Sequence, residues 1–114
     1  IFPELEGKIG GCGIRVPVPD GSLTDITFNV KRQVSIEEIN QAFKKAAETN
    51  FKGILDYTED PIVSVDIIGN QNSCLFDAQL TSVIDKMVKI VCWYDNDIGY
   101  SSRLIDLITF VSKK

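Results

Sequence analysis

Histidine is missing altogether, and that absence removes more chemistry from this 114-residue chain than any other feature of its composition. Without imidazole the chain cannot pair a cysteine or serine nucleophile with its usual base, nor build most zinc sites, from its own residues. Cysteine is scarce: Cys12, Cys74 and Cys92 are three in number and cannot all pair, and no Cys-x-x-Cys spacing joins any two of them. Each stands beside apolar or strand-forming neighbours, the setting of buried, reduced thiols. No apolar run approaches the roughly 20 residues that a bilayer span needs, and the N-terminus has neither the charged start nor the apolar stretch of a signal peptide, so the expectation is a cytosolic protein with no membrane partner. Positive charge is outweighed, with 12 Lys and Arg against 16 Asp and Glu, a formal net charge of -4 and a pI near 4.7. That balance opposes the phosphate attraction on which nucleic-acid binding rests, so nucleic acid is not expected either. Gly10-Gly11-Cys12-Gly13 lacks the spacing of a dinucleotide or Walker phosphate loop.

What is present is an ordinary globular mixture, 44% hydrophobic and 25% charged, at a length that supports one modest core. Lys8 to Val16 is small, apolar and glycine-interrupted, then Pro17 and Pro19 remove backbone donors, which predicts a strand ending at a sheet edge. Asp20-Gly21 supplies turn chemistry. Ile26, Phe28 and Val30 then alternate with Asp25, Thr27 and Asn29, predicting a half-buried strand antiparallel to the first. Ser35-Ile36-Glu37-Glu38 has the form of a capping box, with Val34 and Ile39 placed as a hydrophobic staple, and Ile36, Ile39, Phe43, Ala46 and Ala47 carry helical spacing as far as Asn50. Gly53 to Tyr57 and Ile62 to Val65 predict short strands around a Glu59-Asp60-Pro61 turn. A polar stretch from Gly69 to Ser73 precedes Cys74-Leu75-Phe76. Met87 to Tyr94 is almost continuously apolar, as an interior strand covered on both faces is, and stops at Asp95-Asn96-Asp97. Tyr100, Leu104, Leu107, Ile108 and Val111 describe a terminal amphipathic helix. The sum is α+β, a mostly antiparallel or mixed sheet with helices largely on one face.

Few residues invite a chemical reading. Arg15 lies among apolar neighbours and cannot lose its charge, so it must meet either a carboxylate such as Asp25 or an external anion such as phosphate. Asp95 to Ser101 joins a buried strand to a helix, where α/β folds often place ligands. Asn96 can donate and accept at once, as a carboxamide ligand requires, and Tyr100 can lie against a flat ring. The same stretch also reads as an Asx cap with Gly99 allowing the turn and Tyr100 as the first core residue of the helix. Asp56, Glu59, Asp60 and Asp66 could be imagined as a metal or acid/base cluster, but turns favour Asp for local reasons, and they read as solvated surface charge; no metal site is expected.

Three segments in order resemble the glyceraldehyde-3-phosphate dehydrogenase family: Pro3-Glu4-Leu5-Glu6-Gly7-Lys8 running into Arg15-Val16-Pro17-Val18-Pro19, then Gly53-Ile54-Leu55-Asp56-Tyr57-Thr58-Glu59-Asp60-Pro61, then Trp93-Tyr94-Asp95-Asn96-Asp97-Ile98-Gly99-Tyr100-Ser101. The resemblance implies that residues 1–114 are part of the C-terminal portion of a catalytic domain, incomplete by itself, from a cytoplasmic, tetrameric, glycolytic oxidoreductase. That enzyme oxidises glyceraldehyde 3-phosphate with NAD and inorganic phosphate to 1,3-bisphosphoglycerate. Arg15 matches the arginine of the family's phosphate sites, Asn96 the residue that fixes the nicotinamide carboxamide, and Tyr100 the aromatic near that ring. The family's Ser-Cys-Thr-Thr-Asn-Cys nucleophile motif and its base histidine do not occur, so no catalytic residue is assigned and the chain alone is expected to be inactive and to bind NAD negligibly. Asp97-Ile98 stands where Glu-Phe or Glu-Trp is usual, and Cys74-Leu75 where two small hydroxyl residues are common. The erythrose-4-phosphate dehydrogenases share these motifs and are the enzymatic alternative. A non-catalytic α+β regulatory or assembly module is the other. Stripped of its neighbours, the chain is expected to self-associate.

Overall fold

The computed structural model describes residues 2–114. The regular elements are β1 (Ser22–Asn29), α1 (Ile36–Glu48), β2 (Leu55–Thr58), β3 (Cys74–Asp77), β4 (Ser82–Ile84), β5 (Met87–Tyr94) and α2 (Ile98–Ser112), with short 3-10 turns at Pro3–Leu5, Ser64–Ile67 and Ala78–Leu80. The expected α+β architecture is there: one mixed sheet in the order β1-β5-β3-β2, with β4 also paired to β5.

The apolar run of β5 makes it the centre of that sheet. On one edge it pairs antiparallel with β1 along its whole length, from Ser22 opposite Tyr94 to Asn29 opposite Met87. On the other it takes β3, with Phe76 opposite Cys92, and β4, with Val83 opposite Val88. β2 joins β3 in parallel. Residues directly opposite share a face, so Val88, Ile90 and Cys92 line up with Phe76, Val83, Leu55 and Tyr57 on one side. The helix α1 covers that side with Ile39 and Phe43, closing a core around Phe76 and Val88, both fully buried. Phe43 stacks on Phe76 with centroids 4.1 Å apart.

The helix α1 begins where its local chemistry dictates. The Ser35 hydroxyl accepts from the Glu38 amide at 3.1 Å. The Glu38 carboxylate also bonds the Arg32 guanidinium, and this holds its pKa below the ordinary carboxylate range.

Three expectations need correction. Lys8 to Val16 forms no strand: the segment is exposed and joins no ladder, so β1 pairs with β5 and not with an earlier strand. An extended sequence becomes a strand only where a partner's backbone groups meet its own, and none of the described residues reaches the free edge of β1. Ile62 to Val65 is not a strand either. Pro61 lacks a donor, and the Asp66 carboxylate accepts from the Val63 amide at 2.8 Å, curling the chain into the 3-10 turn at Ser64–Ile67. The chain thus crosses over and returns parallel to β2, where a hairpin was expected. Lastly, Cys12 is exposed; only Cys92 is buried and Cys74 half-buried, all three being free thiols. A hydrogen bond with Cys92, with burial, pushes the Cys74 thiol pKa up.

The terminal helix α2 leaves the end of β5 with most of its side chains exposed. It is seated at two points. Gly99 is buried so closely that a Cβ there would lie 2.9 Å from the Asn72 carbonyl oxygen. Arg103 donates to the Gly53 carbonyl at 3.0 Å and the Ser73 hydroxyl at 3.2 Å, while Asp106 receives its other nitrogens.

Candidate functional site

The turn between β5 and α2 is built around Asp95, a residue 2% exposed. One carboxylate oxygen accepts the amides of Asp97 at 2.9 Å and Ile98 at 2.8 Å; the other accepts the amide of Gly69 at 2.8 Å. The Ile98 amide, then that of Gly69, holds the Asp95 pKa below the ordinary aspartate range against the opposing effect of burial. A carboxylate at the start of a helix also meets the positive end of the helix dipole. The capping role that the Asp-Asn-Asp sequence suggested thus belongs to Asp95, since Asp97, the residue that immediately precedes α2, makes no side-chain cap.

Asn96 sits on this anchored turn, exposed, with its side-chain oxygen 3.4 Å from the Ser22 hydroxyl at the start of β1. That leaves the two amide hydrogens of Asn96 pointing to no protein partner among the described residues. Tyr100, in the first turn of α2, is 67% exposed. It is therefore not the core residue that the capping alternative made of it, and its ring is free to lie against another flat group. The helix periodicity was legible, but its apolar stripe has no cover in the described residues: Leu104, Leu107, Ile108 and Val111 are exposed as well.

Arg15 lies in the exposed segment before β1 and makes no hydrogen bond or ion pair among the described residues. Asp25, the partner considered for it, is held by Lys89 at 2.8 Å across the β1-β5 pair. No direct bond brings Arg15 to Asn96 or Tyr100. The acids of the 56–66 region converge on nothing: Glu59 accepts from the Tyr57 hydroxyl at 2.9 Å and lies 3.8 Å from Lys44, and Asp66 holds the Val63 amide. No cluster of metal-ligating side chains occurs among the described residues, and no helix in them is long and apolar enough to cross a membrane.

Sequence reasoning allowed an Asx cap in this stretch without singling out Asp95, and passed over Gly69. The buried carboxylate could be suspected from an Asp that directly follows an interior strand, but its second partner, 26 positions earlier, leaves no local trace.

Comparison with known proteins puts this turn in context. The profile of the family described as "Glyceraldehyde 3-phosphate dehydrogenase, C-terminal domain" matches residues 1–96. A glyceraldehyde-3-phosphate dehydrogenase of Mycobacterium tuberculosis is 52% identical over 113 residues, covering 99% of this chain and 33% of the relative. Glyceraldehyde-3-phosphate dehydrogenase 2 of Streptomyces avermitilis is 53% identical over 115 residues, covering 100% of this chain and 34% of the relative. The enzyme of Mycolicibacterium smegmatis is 52% identical over 113 residues. The chain thus spans about a third of the length of the curated relatives it matches.

Proposed function

Since the chain belongs to the glyceraldehyde-3-phosphate dehydrogenase family, as part of its C-terminal domain, we propose that residues 1–114 are a partial catalytic domain of a cytoplasmic subunit that oxidises glyceraldehyde 3-phosphate with NAD and inorganic phosphate. The observation that carries this reading furthest is the turn held by Asp95, which presents Asn96 and Tyr100 together at the end of β5. A nicotinamide carboxamide needs a donor for its oxygen, and the free amide hydrogens of Asn96 meet that need. The exposed ring of Tyr100 can face the pyridine ring. Bound NAD would supply the hydride acceptor. This chain's part is to hold and orient it, and, through Arg15, to bind phosphate by a charge-assisted and bidentate contact. The nucleophile and the base come from elsewhere in the subunit, since Cys12, Cys74 and Cys92 lack the family's nucleophile context and there is no histidine. The subunit is proposed to act as a homotetramer.

Steady-state kinetics on the full subunit test this. Turnover is expected with glyceraldehyde 3-phosphate, NAD and phosphate, and Arg15→Ala is expected to weaken the phosphate dependence by about 1.5 to 3 kcal/mol, a charge-assisted hydrogen bond's worth. Higher kcat/KM on erythrose 4-phosphate would move the assignment to that branch. Residues 1–114 alone are expected to yield no NADH above a no-protein blank and to show no micromolar NAD binding by calorimetry; either would count against the division of labour proposed here.

A further inference from the structure

We propose that Asp95 is a positioning residue for the nicotinamide contact, acting by fixing the main chain on both sides of Asn96; this rests on the functional reading just given. Asn96 has its own side chain exposed and held only by the long 3.4 Å contact to Ser22, too stretched to orient it firmly. Its main chain, by contrast, is bound. The residue before it is the buried Asp95, and the two residues after it, Asp97 and Ile98, give their amides to one oxygen of that carboxylate at 2.9 and 2.8 Å. The second oxygen is tied at 2.8 Å to the amide of Gly69, in the loop that follows the Ser64–Ile67 turn, so the β5-α2 turn cannot pivot without breaking a bond to a different part of the chain. The carboxylate accepts three amides with two oxygens, an arrangement that favours the ionised group. Asparagine would retain one oxygen for the amides of Asp97 and Ile98, but its NH2 would face the donor of Gly69. Asp95→Asn therefore cuts the tie to Gly69 while sparing the helix cap.

The consequence is specific to the cofactor. In the full subunit, Asp95→Asn is expected to raise KM for NAD roughly tenfold, the low end for one lost charge-assisted bond, with KM for glyceraldehyde 3-phosphate and for phosphate unchanged. Gly69→Ala approaches the same tie from the other side: Gly69 has φ +85° with open space at its Cβ, so the strained alanine shifts the amide without collision. It is expected to raise KM for NAD in the same selective way by a smaller factor, and it decides the matter if Asp95→Asn fails to fold. Lowered thermal stability in both variants with KM for NAD unchanged in the folded fraction would overturn the inference, leaving Asp95 a purely structural residue. A wild-type subunit that turns over all three substrates while the variants show no selective effect refutes the inference alone; a wild type with no NAD-dependent turnover refutes the functional reading and the inference with it.

Discussion

Replacing Gly21 by alanine should destabilise the fold through two separable effects. Gly21 has φ +86°, and a Cβ there would lie 2.4 Å from the Ser64 carbonyl oxygen and 2.9 Å from the Ile67 side chain. The left-handed backbone costs an alanine about 1 to 2 kcal/mol. The collision cannot be relieved by rotating a side chain, because the nearest atom is a main-chain carbonyl; the Ser64–Ile67 turn must move, at a cost of roughly 1 to 3 kcal/mol as for other overpacked sites. Together these predict a loss of about 2 to 5 kcal/mol by equilibrium urea denaturation with the slope unchanged. The control is Gly53→Ala, whose φ of +80° carries the backbone cost with nothing within 4 Å of the new methyl. Gly53→Ala should lose only the first part, and the difference between the two variants isolates the collision. Equal losses would show that the 64–67 turn yields freely and would refute the packing argument; no loss in either would refute the backbone argument as well.

Phe76→Ala, which empties the centre of the core beneath Phe43 and Tyr57, should cost about 3 to 5 kcal/mol by the same assay; a loss under 1 kcal/mol would mean that the core sits elsewhere. Asp95 has its folded-state pKa held below the ordinary aspartate value of 3.8, so the stability it contributes is fully present above that value and is lost as pH falls through the lower folded pKa. Urea midpoints measured from pH 7 downward should therefore fall more steeply below 3.8 for the wild type than for Asp95→Asn, and parallel curves would refute this. On the exposed stripe of α2, Leu104, Leu107, Ile108 and Val111 are 42%, 57%, 68% and 60% exposed. Residues 1–114 alone should therefore self-associate in a light-scattering dilution series; a monomer at high concentration with no dye-binding patch would contradict it.

The parts of the fold legible in the sequence are those whose signals are local. Ser35 announces the start of α1 because its cap partner is three residues on, and Met87 to Tyr94 reads as an interior strand because both of its faces are apolar. Pairing is not local, and there the reading fails. Lys8 to Val16 has the composition of a strand without a ladder partner among the described residues. Ile62 to Val65 is β-prone, yet Asp66 turns it before it can extend. The β4-β5 hairpin escaped notice because its turn, Asp85-Lys86, lacks the glycine or asparagine that normally marks one; Asp85 carries the φ of +54° itself. At the site, Asn96 and Tyr100 stood out by resemblance and by their place at a strand end. The chemistry of the residues alone left open both a ligand contact and a helix cap with a core tyrosine; the structure gives the cap to Asp95 and leaves Tyr100 exposed.

The same distinction divides the two ends of the proposed site. Asn96 is placed by this chain alone: its neighbours' amides are bound to a buried carboxylate, and that carboxylate is tied to a loop packed against the sheet. Arg15 is placed by nothing in residues 2–114, for it lies in an exposed segment that makes no ladder, and the carboxylate nearest in expectation, Asp25, belongs to Lys89. A guanidinium in water gains little from one more anion, because solvent already satisfies it and screens the attraction. Its worth as a phosphate ligand depends on a surface that fixes and partly dries it. The nicotinamide end can thus be probed through Asp95 and Gly69 by substitutions inside this segment, whereas a phosphate site built on Arg15 has to be completed by groups that these residues do not bring to it.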